Sequence, residues 1–563
     1  MKLLATASAV LLSAATTVAA QTLDELKNDG QLNDALKTDN VLTYGMGYHQ
    51  QRYSPLNQIN PGTIKRLVPV WSLSLDNNWG EQAQPIVYNG VMYVTNARHT
   101  VAIDVGSGKQ LWKHTLDWPA DTPRVVCCGV SNKGAALYNG RVYRTTLDAH
   151  VLALDAKTGK ELWKTKVAEW KDGVSLTLAP LIANGVLVIG NSGAEFGVRG
   201  FIDGYDTDSG KQLWRRYTIP ARGEKGNDTW PQDNNAWEVG GGSAWITGSY
   251  DPQLDLMYWG IGNPAPWASQ SRAGDNLYTS SVLALRPKTG EIVWHYQFTP
   301  NDAYDYDACW ELILAELKVN GKMRKVAMQL NRNGFLYVLD RATGELISAK
   351  AYEKINWASH VDMKTGRPVE TEIAKSIREM KATEHWPSTR GAKNWQHAAF
   401  NPKTGLLYAN TLHEGRMYKH LETKPFEKGA RYMYIENLPI ERPAGTPVGH
   451  IEAIDPLTAE KKWRVPLLDF QIWSAMLASG ELLFTGKETG EFIALDAATG
   501  KQLWQFQTGS GINAMPVTYT HKGKQYVTVL SGIGGLYWNV NRERLKDLVP
   551  QGGSVWTFAL LPE

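Results

Sequence analysis

The stretch VAIDVGSGKQLW, Val101 to Trp112, decides the fold. An apolar run ends on Asp104, a Gly-Ser-Gly turn follows in which glycine can take a positive φ, and the chain returns carrying Trp112. That is a β-hairpin with a tryptophan on its second arm. The phrase recurs as LALDAKTGKELW ending at Trp163, DGYDTDSGKQLW at Trp214, LALRPKTGEIVW at Trp294, EAIDPLTAEKKW at Trp463 and IALDAATGKQLW at Trp504. A worn copy, YVLDRATGELIS, has Ser348 in the tryptophan's place, and PVWSLSL around Trp71 supplies an eighth unit without the preceding turn.

Apolar stretches such as PIVYNGVMYVTN (85–96) and PLIANGVLVIGN (180–191) precede the phrases and add a second hairpin with Asn-Gly at its turn. Four strands per unit make a blade, and marks at 71, 112, 163, 214, 294, 348, 463 and 504 have the spacing of radially repeated four-stranded sheets. The sequence therefore predicts an all-β, eight-bladed β-propeller with tryptophan-docking repeats, one domain over 21–563. The closing strand SVWTFALLPE is expected to complete a blade begun near the N-terminus, leaving no free edge. Two intervals overrun, 214–294 and 348–463, and insertions of this kind map to loops on one face. The second contains KSIREMKAT, with helical spacing, and the basic stretch YKHLETKPFEKGARY, which reads as a solvated surface loop ahead of a docking patch.

Composition supports this and narrows the function. Trp 22 against Phe 11 inverts ordinary usage, as a repeated tryptophan would. Lys+Arg 59 against Asp+Glu 56 is too balanced for a nucleic-acid stripe. Residues 1–20, MKLLATASAVLLSAATTVAA, have one lysine, an apolar run too short to span a bilayer, and small residues before the end. They read as a secretory signal peptide rather than an anchor, and with no later spanning segment the mature chain is expected in the periplasm.

Three cysteines are present, and Cys127 and Cys128 are adjacent. In an exported chain neighbouring thiols tend to oxidise, although the ring so closed is strained; two free buried thiols are the alternative. Cys309 reads as a buried hydrophobe. There is no CxxCH, hence no attached c-type haem. The densest acid cluster, PNDAYDYDACWE, holds Asp302, Asp305, Asp307 and Glu311. On an extended segment Asp305 and Asp307 point the same way and could share a proton or hold a hard cation, though such loop clusters are more often solvated turns.

The tryptophan phrases, CysCys, SGAEFGVRGF (192–201), GNPAPW (262–267), DYD (305–307) and NRNGFLYVLDR (331–341) occur together and in order. From about Gln51 to the C-terminus the chain resembles the pyrroloquinoline quinone (PQQ)-dependent alcohol dehydrogenases, the family of methanol and quinoprotein ethanol dehydrogenases, in a haem-free form. The resemblance implies a vicinal Cys127–Cys128 disulfide on one face of PQQ and Trp245 on the other. It places Gln82, Lys133, Thr177, Ser192, Gly193, Ala194, Asn394 and Trp473 around the cofactor, with Arg332 beside the quinone oxygens. Glu195, Asn263 and Asp305 correspond to the metal ligands, Asp305 also to the catalytic carboxylate, and Trp267 to the substrate pocket. All the metal donors are hard oxygens, which suit Ca²⁺ or a lanthanide. Asp307 stands where lanthanide users of the family carry a second Asp, unless it is a solvated acid turned away. Two positions depart: Lys133 replaces a usual Arg, and Gln82, with Glu81 adjacent, replaces a Glu.

The implied reaction is oxidation of an alcohol to an aldehyde or ketone, with Asp305 as an ionised base and a cytochrome c as external acceptor. Small primary, aromatic, polyol and bulky secondary alcohols are all open, as is a homodimer. The rival reading, a non-catalytic binding or assembly propeller, needs neither vicinal cysteines nor acids in its channel. A nicotinamide enzyme is disfavoured because the only near fingerprint, GSGINA at 509–514, precedes an apolar β run rather than a helix. His397 reads as a structural histidine.

Overall fold

The computed structural model describes residues 38–562, so the expected signal peptide lies outside them. Eight antiparallel four-stranded sheets account for the repeats, six of them made of four consecutive strands and one extended by a short parallel strand, Tyr53–Ser54. In the blade of the deciding phrase, His99–Asp104 runs into Gln110–Thr115. Asp104 Oδ1 accepts from Ser107 N at 2.8 Å and from its hydroxyl at 2.7 Å, and Gly108, at φ +71°, turns the chain. The predicted hairpin is thus built by side-chain capping of its own turn.

The tryptophans clasp neighbouring blades. Trp71 donates to the Val105 carbonyl at 2.9 Å, Trp112 to Ala156 at 3.1 Å, Trp163 to Thr207 at 3.3 Å, Trp214 to Pro287 at 2.9 Å, and Trp463 to Ala497 at 3.0 Å. Each indole also lies on the turn glycine of the next blade: a Cβ at Gly108 would come within 2.7 Å of the Trp71 ring, and one at Gly159 within 2.5 Å of Trp112. Glycine is required there for space as well as for φ. Three junctions depart: Trp294 packs on Gly344 without a hydrogen bond at Nε1, Trp504 donates to the Leu67 carbonyl at 3.0 Å with no turn glycine facing it, and at the third the indole itself is missing. Ser348 substitutes a hydroxyl, donating to the Leu457 carbonyl at 2.9 Å, and the facing turn carries Ala459 at φ +59°, which no indole crowds.

The ring closes as expected. Leu67–Ser74 is the outermost strand of the blade formed by Val517–His521, Lys524–Ser531 and Ser554–Leu560, so the two chain ends share one sheet. The second overrun folds into the hairpin Ala358–Asp362/Arg367–Glu370, the helix Glu372–Arg378 and a sheet of Thr383–His385, Arg416–His420 and Ile435–Pro439. The helix starts earlier than KSIREMKAT suggested, because the Thr371 hydroxyl caps it by accepting from Ile373 N. The basic stretch is not a solvated loop throughout. Tyr418, His420 and Tyr432 are buried, and Tyr432 N donates to the Glu195 carbonyl at 2.7 Å, so both ends of the stretch are anchored. Among the described residues no helix is long and apolar enough to cross a membrane.

Candidate active site

The residues preceding the innermost strands lie at one end of the ring and converge on its axis. Gln82, Lys133, Thr177, Trp245, Asp305 and Asp307, Asn394, Trp473 and Asn513 each precede a different blade. A second tier comes from the turns between the second and third strands of three blades: Ser192–Glu195, then Asn263 and Trp267, then Arg332. Motifs far apart in sequence therefore meet because the blades repeat by rotation. Every residue assigned to cofactor, metal or substrate, Cys127 and Cys128 included, lines a single cavity of about 300 Å³.

Cys127 and Cys128 are joined as a disulfide, with Cys128 in the left-handed region at φ +69°. Gly129 behind it lies where a Cβ would meet Gly535 Cα at 2.7 Å, so the disulfide loop is pressed against the start of the C-terminal helix Gly535–Leu545. Trp245 is braced edge-on by Trp310, centroids 6.0 Å apart. The Lys133 ammonium lies 5.1 Å from the Trp245 centroid and 5.7 Å from that of Trp395. Among the described residues it has no acidic partner, and burial lowers it to about 7. An uncompensated buried cation between indole faces fits an anionic, planar ligand. Thr177 and Ser192 share a hydrogen bond of 3.1 Å, and the Ala194 amide donates to Ser243 Oγ at 2.9 Å. Gln82 lines the cavity, whereas Glu81 points away and accepts from Asn77 and Asn96 at 2.7 and 3.2 Å. Burial raises Glu81 to about 8.

The acid cluster is not a solvated turn: Asp302, Asp305, Asp307 and Glu311 are all buried. Two of them are structural. Asp302 accepts from the amides of Tyr304 and Tyr306 at 2.9 and 2.7 Å, and Glu311 pairs with Lys393 at 2.9 Å. The other two face the cavity and share one guanidinium, Arg332 Nη2 to Asp305 Oδ2 and Nη1 to Asp307 Oδ2, both 2.6 Å. Arg332 is itself held by the Thr389 carbonyl at 2.6 Å, and Asp307 Oδ1 accepts from Asn263 N at 2.9 Å. Asp305, at φ +69°, keeps its Oδ1 buried without a partner. Such backbone strain persists where surrounding structure imposes it, commonly at reactive sites.

Burial raises Asp305 well above the carboxylate range, and Asp307 and Glu195 add to the rise against Arg332. Glu195 is raised to about 7 by burial and Asp307, and Asp307 is raised by burial against Arg332. The expectation that Asp305 is ionised thus depends on more positive charge than Arg332 supplies. Two buried carboxylates and the half-buried Glu195, with one orphaned oxygen and one guanidinium, are a donor set that fits a hard cation.

Cys309 is buried as expected, but it also donates to the Ser243 carbonyl at 3.2 Å beneath Asp307. His397 is structural, its Nδ1–H donating to the Trp395 carbonyl at 3.0 Å, and burial holds it neutral, well below the usual imidazole range. The sequence reading missed Trp395, Arg390, Arg431, Asn513 and Tyr537, which also line the cavity. Asn513 falls within GSGINA, which leads into a strand as predicted, and Arg431 within the basic stretch; only Trp395, beside Asn394, was signalled by a neighbour.

Eight blades around an axial cavity with a vicinal disulfide, facing indoles and a carboxylate–arginine cluster define a quinoprotein dehydrogenase propeller. The family model for the PQQ "Glucose/ethanol/alcohol dehydrogenase, beta-propeller domain" matches residues 42–356 and 364–527. The chain belongs to the PQQ-dependent alcohol dehydrogenases. It is 40% identical over 586 residues to the quinoprotein alcohol dehydrogenase PedH of Pseudomonas putida, covering 98% of this chain and 95% of that one. It is 38% identical over 579 residues to the quinoprotein ethanol dehydrogenase of Pseudomonas aeruginosa, covering 94% and 92%. Among solved structures, a europium-containing methanol dehydrogenase superposes with a TM-score of 0.88 at 34% identity, covering 95% of this chain and all of that one. The chain is an enzyme, and the reading as a non-catalytic propeller is set aside.

Proposed function

We propose that this chain oxidises an alcohol to an aldehyde or ketone in the periplasm, using PQQ and a hard cation held in the axial cavity. When bound, PQQ supplies a two-electron acceptor and the cation a Lewis acid. The Cys127–Cys128 disulfide and Trp245 form the two walls for the flat cofactor. Lys133 meets a cofactor carboxylate as a point charge, and Gln82, Thr177, Ser192, Gly193, Ala194, Asn394 and Trp473 serve its rim. Glu195, Asn263, Asp305 and Asp307 hold the cation, and Trp267 borders the alcohol.

The observation that carries the reading is the orphaned Asp305 Oδ1 in that cavity. Arg332 fixes Oδ2, leaving Oδ1 to take the hydroxyl proton, so the base is oriented before the alcohol arrives. Arg332 also spans to Asp307, which keeps both carboxylates in place and its own charge beside the reacting centre. With no haem motif in the chain, the electrons leave to an external cytochrome c, and residues 1–20 direct export.

Asp305→Asn tests the assignment. The variant is expected to retain PQQ at one equivalent while dye-linked alcohol turnover falls by roughly a thousandfold, within the range for loss of a general base. Turnover retained within tenfold would mean another group takes the proton.

A further inference from the structure

The junction between the fifth and sixth blades is the one where the tryptophan clasp is replaced by Ser348 and Ala459. A different set of side chains spans the same seam. Glu353 follows the fifth blade's outer strand, Leu346–Ala351; His450 and Glu452 lie on Gly449–Ile454 of the sixth, and Arg464 on Lys461–Leu467. One oxygen of each glutamate and one nitrogen of His450 lie within 4.8 Å of one another. His413 Nδ1 stands 3.0 Å from Glu353 Oε2, beside them.

This cluster is more than a set of acids. His450 is 7% exposed and Glu452 0%, yet His450 Nδ1 and Glu452 Oε2 have no hydrogen-bond partner among the described residues. Their nearest contacts are long ion pairs, Glu353 Oε1 at 3.5 Å from His450 Nδ1 and Lys461 Nζ at 3.9 Å from Glu452 Oε2. Buried ligating atoms held only by long ion pairs, with no hydrogen bond, are costly and leave room for a closer partner. The single cation now bridging Glu353 and Glu452 is Arg464, whose side chain is 37% exposed and can turn to solvent.

We propose that Glu353, His450 and Glu452 form a second cation site, for a divalent ion of the zinc class, which enters by displacing Arg464 and ties the fifth blade to the sixth where the indole clasp is missing. Two carboxylates and an imidazole select such an ion over Ca²⁺ or Mg²⁺, which prefer oxygen alone. The site is separate from the axial cavity, none of whose lining residues it shares.

The test uses holoenzyme saturated with PQQ and Ca²⁺, titrated with ZnCl₂ by calorimetry, with bound zinc counted by atomic emission. Wild type should take up one zinc per chain and melt at a higher temperature with zinc than without. His450→Ala should lose that equivalent, and Arg464→Gln should bind at least tenfold more tightly because its competitor is gone. Zinc retained by His450→Ala overturns the proposal. So does the absence of zinc from wild type, whether or not Arg464→Gln binds it, since the native cluster is then a closed ion-pair network. Should His450→Ala fail to fold, Glu452→Gln and the wild-type stoichiometry decide.

Discussion

If Lys133 meets a cofactor carboxylate as proposed, PQQ affinity is expected to depend on pH in a calculable way. Its ammonium is buried between Trp245 and Trp395 without an acidic partner and sits at about 7 in the free cavity. A cofactor carboxylate beside it restores the charged form, so the pKa rises on binding. Below pH 7 the lysine is already protonated and affinity is flat. Above pH 7 binding must take up a proton, and Kd rises about tenfold per pH unit, about 2.7 kcal/mol between pH 7 and pH 9. Of the other groups in the cavity's surroundings, His397 is held far below this window and Cys309 far above, both by burial, whereas Glu195, at about 7, titrates within it and must be removed by difference. Quenching of tryptophan fluorescence by PQQ at fixed metal, from pH 6 to pH 9, reads the slope. Lys133→Arg, charged throughout, removes contributions from all other sites by difference and should be flat relative to wild type. Parallel profiles for wild type and Lys133→Arg would refute the assignment of Lys133 to a cofactor carboxylate.

Two further outcomes are expected. Light lanthanides such as La³⁺ or Ce³⁺ should support activity at least as well as Ca²⁺, because Asp307 is turned into the site beside Glu195 and Asp305 rather than out to solvent, and a trivalent ion offsets more of that charge. Asp307→Ala should selectively remove the lanthanide-supported rate in a metal titration, and a variant that still responds to La³⁺ as wild type does would show that Asp307 is not a ligand. Glu81, raised by burial from 4.5 to about 8, is protonated in the fold at pH values where the unfolded chain is ionised. Its favourable contribution is therefore complete below pH 4.5 and lost as pH rises through 8, about 5 kcal/mol in all. Glu81→Gln keeps the Asn77 and Asn96 contacts without the charge, so its denaturation midpoint should overtake wild type between pH 5 and pH 9; parallel midpoints would contradict the buried placement.

The architecture was legible because it is written in a local code. Asp104, Gly108 and Trp112 state the turn, its hand and the clasp within one phrase, and the missing clasp at Ser348 is visible as a worn copy. The cavity residues were legible only through resemblance, since Lys133, Thr177 and Trp473 carry no local signature and meet by rotation of the blades. The roles within PNDAYDYDACWE also depended on tertiary partners. Spacing paired Asp305 with Asp307, but only Arg332, a blade turn away, decides which oxygen is left free, and only the Tyr304 and Tyr306 amides mark Asp302 as structural. Arg431 and Tyr537 reach the site from an excursion and a terminal helix, neither of which has a repeat to predict its path.

The central claim, that the axial cavity is a PQQ and cation site for alcohol oxidation, is tested most directly by reconstitution. Purified protein stripped of metal and cofactor is assayed for dye-linked oxidation of a panel of alcohols with PQQ alone, metal alone, both together, and NAD⁺ alone. Activity should appear only when PQQ and a hard cation are supplied together. Turnover with NAD⁺ alone, or none on any alcohol with PQQ and either Ca²⁺ or La³⁺, would contradict the account.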